Sequence, residues 1–474
     1  MTHAPTKRAI TMQRLCCKVL VVSLILFVVS LLYLMNKKES SQVIVDQQYK
    51  PDQLGEGSVW SDSDILQQMP LSRDDADFYG VMFDAGSTGS RVHVFHFQES
   101  APGMPPILLN EVYNFTKLPL AKYADNPSEG ANSLDILLKV ALDSIPEHLW
   151  PLTPVALKAT AGLRLLPEEK AEALLDAVYE HLNASPLHVE RREISTTIMD
   201  GTDEGIFMWV TVNFLNGALT SQTPDTHGTL DMGGGSTQVT FLPQTQETAE
   251  HPVHRNFIKQ HPFLKHGYDL YTRSYLGLGL KAARLEILRR EKVETFFQGS
   301  SDLDDSASGE FTSMCLPPLS SGSWEFGGNI YTVLSSREQS DHLYQNCLNV
   351  VKTFVEDMVT APAEIHNQSF YALSYFWERA AEIRKVDWKT GGTLLVRDYR
   401  DAAINVCQDY RSYPDHPFHC MDMVYLSSVL SHGYQFSDDV QLIMTNNIKG
   451  FEVSWALGAT LDLLRTHWEN RRRL

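Results

Sequence analysis

Positive charge is what this chain lacks most. Its 474 residues carry 40 Lys and Arg against 58 Asp and Glu, a formal net charge of −18, whereas a nucleic-acid partner requires a basic surface. Nucleic acid is thereby excluded, and any anionic ligand must be met by something local, either a bound cation or backbone N–H groups. Cysteine is scarce as well, six in all, and no C-x-x-C spacing occurs, so a cysteine metal cluster is the weaker reading. No G-x-x-x-x-G-K-[ST] is present, which excludes the usual nucleotide loop. Only one long apolar run exists, near the N-terminus, and no A-x-A-like cleavage site follows it.

That run, VLVVSLILFVVSLLYLM at 19–35, comes close with Leu15, Cys16 and Cys17 to the ~20 apolar residues that cross a bilayer as a helix. Lys7, Arg8, Arg14 and Lys18 precede it, which puts the N-terminus in the cytosol. The expected organisation is a cytosolic tail at 1–18, a signal anchor at 19–35 and a polar stem at 36–77. The bulk of the chain then lies in the lumen of the secretory pathway, for example the Golgi, or outside the cell. Cys16 and Cys17 border the membrane, where palmitoylation and packing are both open readings. Cys315, Cys347, Cys407 and Cys420 are an even number in an oxidising compartment. Pairing of neighbours, Cys315 with Cys347 and Cys407 with Cys420, is the simplest of three connectivities. Asn114, Asn183 and Asn367 open the glycosylation sequons NFT, NAS and NQS.

With 43% apolar and 21% charged residues, the rest is a folded globular chain long enough for two domains. Strand-like runs such as PVALKATAG interleave with helical ones such as EKAEALLDAVYEHL, the pattern of an α/β protein. One pattern occurs twice. FDAGSTGSRVHVFHF from Phe83 resembles LDMGGGSTQVTFLP from Leu230: an apolar residue, an aspartate, a small-residue turn and an alternating strand. A duplicated domain would set the two turns face to face across a cleft. Gly86 and Gly89, and Gly233, Gly234 and Gly235, let backbone N–H groups approach an anion with no Cβ in the way. Ser87, Thr88, Ser90, Ser236 and Thr237 add hydroxyls suited to phosphate oxygens. Asp84 and Asp231 would repel phosphate unless a hard divalent cation sits between, held partly through water. Taken singly, each turn is also compatible with an ordinary hairpin.

Two further stretches carry chemistry. LKATAGLRLLP, Leu157 to Pro167, ends in small residues before Arg164, whose guanidinium either supports the turn or binds phosphate. IMDGTDEGIFMWVTVNFLNG, Ile198 to Gly217, sets Asp203 and Glu204 ahead of an apolar run. Either acid suits a helix N-terminus, and a hydrolase needs a base to deprotonate water.

The ordered set DAGSTGSRVHVF, ATAGLRLLP, GTDEGIFMWVTVNFL, LDMGGGSTQVTF and SWALGA resembles the motifs of the apyrases, the nucleoside triphosphate diphosphohydrolases. The resemblance runs from about Phe78 to the last helix. It implies an actin-like fold of two ribonuclease-H-like lobes, at 78–205 and 206–445, with 446–474 returning to the first. It also implies hydrolysis of nucleoside di- or triphosphates with Mg²⁺ or Ca²⁺. By position, Glu204 looks like the catalytic base, Asp84 and Asp231 the water-mediated metal sites, and Ser236 with Gln238 the groups positioning water. Thr160 lies near the site in the family, and Arg91 and Arg164 would stabilise charge that builds on the leaving side. The GSTGSR turn and the basic, amphipathic C-terminus are similar to the single-anchor members that favour GDP, UDP and IDP. Base-stacking rings are expected around Tyr375, Phe376 and Trp377 and at Tyr425, with Phe376 and Tyr425 taken as the contacts. Two rival classes share the turns: a small-molecule kinase of the same fold, and a silent lumenal binding protein.

Overall fold

The computed structural model describes residues 77–101, 103–220, 225–297, 310–336 and 342–473. The expected anchor at 19–35, its flanking tail and nearly all of the stem lie outside the described residues, as does the Asn367 side chain. Among the described residues no helix is long and apolar enough to cross a membrane.

Two sheets organise the chain. The first contains β1 (Asp77–Ala85), β2 (Ser90–Gln98), β3 (Ile107–Thr116), β4 (Pro154–Ala159), β5 (His188–Val189) and β6 (Thr196–Ile198). Its order is β3-β2-β1-β4-β5, with β6 also paired to β4. The second half supplies β7 (Gly228–Met232), β8 (Ser236–Phe241), β9 (Ile258–Phe263) and β10 (His266–Leu276). A small three-stranded sheet follows, of β11 (Glu310–Ser313), β12 (Ser321–Phe326) and β13 (Asn329–Ser335). The chain then adds β14 (Phe370–Ser374), β15 (Gly392–Leu395) and β16 (Gln441–Met444). The second large sheet runs β15-β16-β14-β7-β8-β10-β9.

The winding is the same in both. β1 pairs antiparallel with β2 and parallel with β4; β7 pairs antiparallel with β8 and parallel with β14. The repeated motif therefore fills the same place twice, as the central hairpin of each sheet. Both central strands are covered on two faces, which is why VMFDA and GTLDM are continuous buried runs rather than alternating ones.

Between the sheets lies the helix Gly201–Asn216. Asp200 caps its start by accepting from Thr202 N at 2.8 Å, and Gly217 ends it with φ 80°. Its apolar residues point in nearly every direction, as a helix buried on all sides requires. Trp209 and Ile206 join Met82 and Phe95 of the first sheet and Leu373 of the second in one core. The helix is continuous through 205 and 206, so no linker separates the halves at that point. Its neighbour is the C-terminal helix Trp455–Arg473. The glycine of SWALGA sets their separation, since a Cβ on Gly458 would stand 2.2 Å from the Phe207 carbonyl oxygen. Thr211 Oγ1 ties the pair by donating to Ser454 O at 2.8 Å and accepting from Gly458 N at 2.9 Å.

Cys315 is bonded to Cys347 and Cys407 to Cys420. Both bridges lie in the second half, where the second pins the helix Val396–Gln408 to the helix His419–Ser428. Asn114 and Asn183 are exposed.

Candidate active site

Each central strand ends in a buried aspartate, with Asp84 6% and Asp231 5% exposed. The two turns that follow close with the same bond, Gly86 N to Gly89 O and Gly233 N to Ser236 O, each 3.0 Å. They meet across the cleft. A Cβ on Gly234 would stand 2.7 Å from Ser87 Oγ, and one on Gly235 the same distance from Ala161 Cβ. In the second turn the carbonyl oxygens face away: Gly233 O accepts from Leu280 N, Gly234 O from Lys281 N and Ala282 N, and Gly235 O from Gly277 N. With those oxygens taken up by the 277–282 segment, the turn is compatible with an anion.

Glu204 enters from the first turn of the 201–216 helix. Neighbouring helical positions point about 100° apart, so Asp203 is exposed while Glu204 is 8% exposed and faces the cleft. Arg164 Nη2 donates to its Oε2 at 2.6 Å and Gln238 Nε2 to the same oxygen at 3.2 Å. Gln238 also donates to Ser236 Oγ at 2.9 Å. Burial pushes the Glu204 carboxyl up from 4.5 to about 7, against the Arg164 charge and with help from Asp231 and Asp84. Asp231 is likewise raised by burial, to about 6, although Ser374 Oγ donates to it at 2.6 Å. Burial raises Asp84 too, opposed by Arg91, whose Nη1 lies 3.1 Å from Oδ2. These three buried carboxyls share one cleft with the side chains of Glu378 and Glu452.

That cleft has a volume of about 330 Å³, within the usual range for a small-molecule site. The sequence-predicted residues Asp84, Gly86, Ser87, Thr88, Arg91, Thr160, Glu204, Asp231, Gly233 and Gly234 line it. Others are placed elsewhere. Arg164 serves Glu204 and the Met199 carbonyl, which its Nε meets at 2.9 Å, rather than a phosphate. Ser90 and Thr237 turn their hydroxyls inward, to Leu118 O at 3.2 Å and Asp231 O at 2.9 Å, because alternate strand positions face opposite sides. Gly89 is required by packing, as a Cβ there would lie 2.2 Å from Thr116 O. Gly235, Ser236 and Gln238 stand behind the wall.

The base contacts need correction. Phe376 is fully buried and its carbonyl accepts from Tyr399 Oη at 2.9 Å; Tyr425 is 1% exposed and its Oη donates to Leu278 O at 2.5 Å. Both are core residues. Tyr375 and Trp377, on either side of Phe376, line the cleft instead.

Several residues of the site had no signal in the sequence. Ser374 adopts φ 54° and ψ −122° between β14 and the helix Tyr375–Glu382, a conformation that costs about 1–3 kcal/mol. Its bond to Asp231 holds it there. Gly279 underlies the second turn, since a Cβ would stand 2.4 Å from Ser236 N and 2.5 Å from Gly235 N. Tyr113, Glu452 and Trp455 complete the wall. Of these Trp455 stands in the SWALGA motif, and Gly279 left a trace in the glycine pair of YLGLGLKAA between a strand and a helix.

Two like-wound sheets with converging glycine turns, and buried carboxyls between them, define an α/β protein with a carboxyl-lined cleft. The chain belongs to the GDA1/CD39 (nucleoside phosphatase) family, whose model matches residues 71–473. It is 43% identical over 399 residues to ectonucleoside triphosphate diphosphohydrolase 5 of Gallus gallus, covering 84% of this chain and 90% of that one. Identity to the Homo sapiens nucleoside diphosphate phosphatase ENTPD5 is 42% over 410 residues, 86% and 92% of the two chains. The Mus musculus ectonucleoside triphosphate diphosphohydrolase 6 is 41% identical over 406 residues, 85% of each. Among solved structures, a nucleoside triphosphate hydrolase from Neospora caninum superposes with a TM-score of 0.55 at 12% identity, over 83% of this chain and 93% of that one. That likeness concerns the fold.

Proposed function

We propose that this protein is a divalent-cation-dependent hydrolase of nucleoside diphosphates, taking GDP, UDP and IDP ahead of triphosphates and releasing nucleoside monophosphate and phosphate. Family membership favours hydrolysis over transfer to an acceptor, and the human relative is named for diphosphates.

The observation that carries the reading is the setting of Glu204. Its carboxyl sits near pH 7, where a general base works best. Both of its hydrogen bonds end on Oε2, which leaves Oε1 to take the proton from water. Gln238 fixes the carboxylate from behind, itself held by Ser236 Oγ, so the pair would position the water through Glu204. Backbone amides of the two turns, with the hydroxyls of Ser87 and Thr88, hold the terminal phosphate in line. Arg91, tied to Asp84 and lining the cleft, would stabilise charge that builds on the leaving side.

The residues fit a hard cation. Asp84 Oδ1 is buried with no hydrogen-bond partner among the described residues, and the donors on offer in the cleft are oxygens. Asp84 and Asp231 would hold Mg²⁺ or Ca²⁺ through water, and such an ion would supply positive charge against the pyrophosphate. The base would stack on Tyr375 and Trp377, whose faces accept any nucleobase. The anchor at 19–35 would place the catalytic domain as a type II membrane protein of the secretory pathway, a setting in keeping with its two disulfides.

Glu204→Gln should bind nucleotide normally and lose turnover by about 10²–10⁴-fold; near-normal activity in that variant removes Glu204 from the role. Activity unchanged by EDTA would remove the cation.

A further inference from the structure

We propose that His188, Glu190 and His467 form a second metal site, for Zn²⁺ or a similar borderline divalent ion, which fastens the C-terminal helix to the edge of the first sheet. It lies apart from the cleft residues and stands independently of the proposed activity.

His188 opens β5, a two-residue strand that pairs only with β4. Residues two apart on an extended chain share a face, so His188 and Glu190 project together. His467 comes from the last turns of the 455–473 helix and is buried. The ligand atoms of the three side chains all lie within 4.8 Å of one another. Glu190 Oε1 serves both rings, 3.3 Å from His188 Nε2 and 3.2 Å from His467 Nδ1.

Those two separations lie at or just beyond the long end of the ~2.7–3.2 Å of an N–H···O bond. They match the edge of a tetrahedron around a metal bound at ~2.0–2.1 Å, which is about 3.3–3.4 Å. Two imidazoles and one carboxylate suit zinc, cobalt or copper, while Mg²⁺ and Ca²⁺ prefer oxygen alone. The His188 side chain is 37% exposed, so water has access to the fourth position. With β5 held by so short a ladder, a bound ion would add a cross-link between the sheet edge and the helix that also carries Trp455 at the cleft.

The test uses the purified full chain without a histidine tag, stripped with EDTA and then saturated with Mg²⁺ to fill the cleft. After dialysis against Zn²⁺, wild type should retain one equivalent and show a higher Tm. His188→Ala and Glu190→Gln should retain none and show no rise, while hydrolysing nucleotide at the wild-type rate without zinc. Independently of any variant, Co²⁺ added to the Mg²⁺-saturated wild type should give the intense visible bands of a four-coordinate site. Wild type holding no zinc against Mg²⁺, variants that hold as much as wild type, or the weak bands of six-coordinate Co²⁺ alone would overturn the site.

Discussion

Arg164 separates two ways of using a guanidinium in this cleft. As a phosphate ligand it would act on substrate affinity; as the partner of Glu204 it acts on the proton. Its Nη2 lies 2.6 Å from Glu204 Oε2, with side chains 12% and 10% exposed, so the charges interact with little screening. An opposite charge at that range lowers a carboxyl pKa by ~1–3 units. Glu204 sits at about 7 with the guanidinium in place. In Arg164→Ala its carboxyl should therefore titrate near ~8–10, and the ionised fraction at pH 7 should fall by about 5–500-fold. The assay is kcat/KM against pH, with both enzymes at the same Mg²⁺ concentration. The acid limb should move to higher pH by ~1–3 units, with activity recovering as the pH is raised. Loss of one partner of a buried ion pair costs ~3–5 kcal/mol, but protonation of Glu204 limits that penalty at pH 6. Tm measured there shows whether the variant is folded. An acid limb that stays in place while KM rises would refute the pairing and restore Arg164 to the phosphate. So would a loss of activity that is uniform at every pH.

The same buried carboxyls set the pH dependence of stability. Glu204 rises from 4.5 to about 7 and Asp231 from 3.8 to about 6 on folding, so the folded protein binds more protons than the unfolded chain between those limits. This stabilisation is fully present below pH ~4 and is lost as the pH rises to ~7, on the order of 3 kcal/mol for each group. Thermal unfolding in EDTA should show Tm falling across that window for these two groups, and added Mg²⁺ should raise Tm more at pH 7.5 than at pH 5, because it binds the ionised forms. Glu204→Gln should flatten the upper part of the curve, and an unchanged curve would speak against the shift. Gly279→Ala sets a Cβ against the backbone of the second turn. It should cut kcat/KM for nucleoside diphosphate more than about tenfold, at ~1–3 kcal/mol of overpacking, while wild-type kinetics would show that the turn can move aside.

How much of this was legible depended on whether the physical cause was local. The hairpin motif was visible twice because an aspartate followed by small residues is a local solution to approaching an anion, and both copies entered the centre of a sheet. The residues alone left Asp203 and Glu204 open and the motif resemblance pointed to Glu204; helix phase leaves Asp203 exposed and turns Glu204 to the cleft. Ser90 and Thr237 were misjudged because a hydroxyl next to a turn has two faces to choose from, and strand alternation sent these two inward. The aromatic contacts failed for a related reason. YFW holds three rings in a row, and at the start of a helix the middle one went to the core while its neighbours faced the cleft. Ser374 acts through a bond to Asp231, far away in sequence, and nothing in its own surroundings announces that; Gly279 left only its place in a glycine pair.

The two hairpins began alike and do different work, and the difference lies in one cross-strand position. Opposite Asp84 stands Arg91; opposite Asp231 stands Gln238. The arginine neutralises its aspartate and keeps a cation on the cleft wall, so the first half can answer the charge of a pyrophosphate despite a net −18 over the chain. A second arginine opposite Asp231 would pair with that carboxylate as well and compete with Arg164 for Glu204. It would hold the base ionised but pull its pKa well below the working pH, weakening it as a proton acceptor. A neutral amide there instead reaches Glu204 and Ser236 with hydrogen bonds and adds no charge. Burial then remains the largest influence on Glu204. One half of the duplicated fold thus supplies the electrostatics, and the other leaves the base close to neutrality.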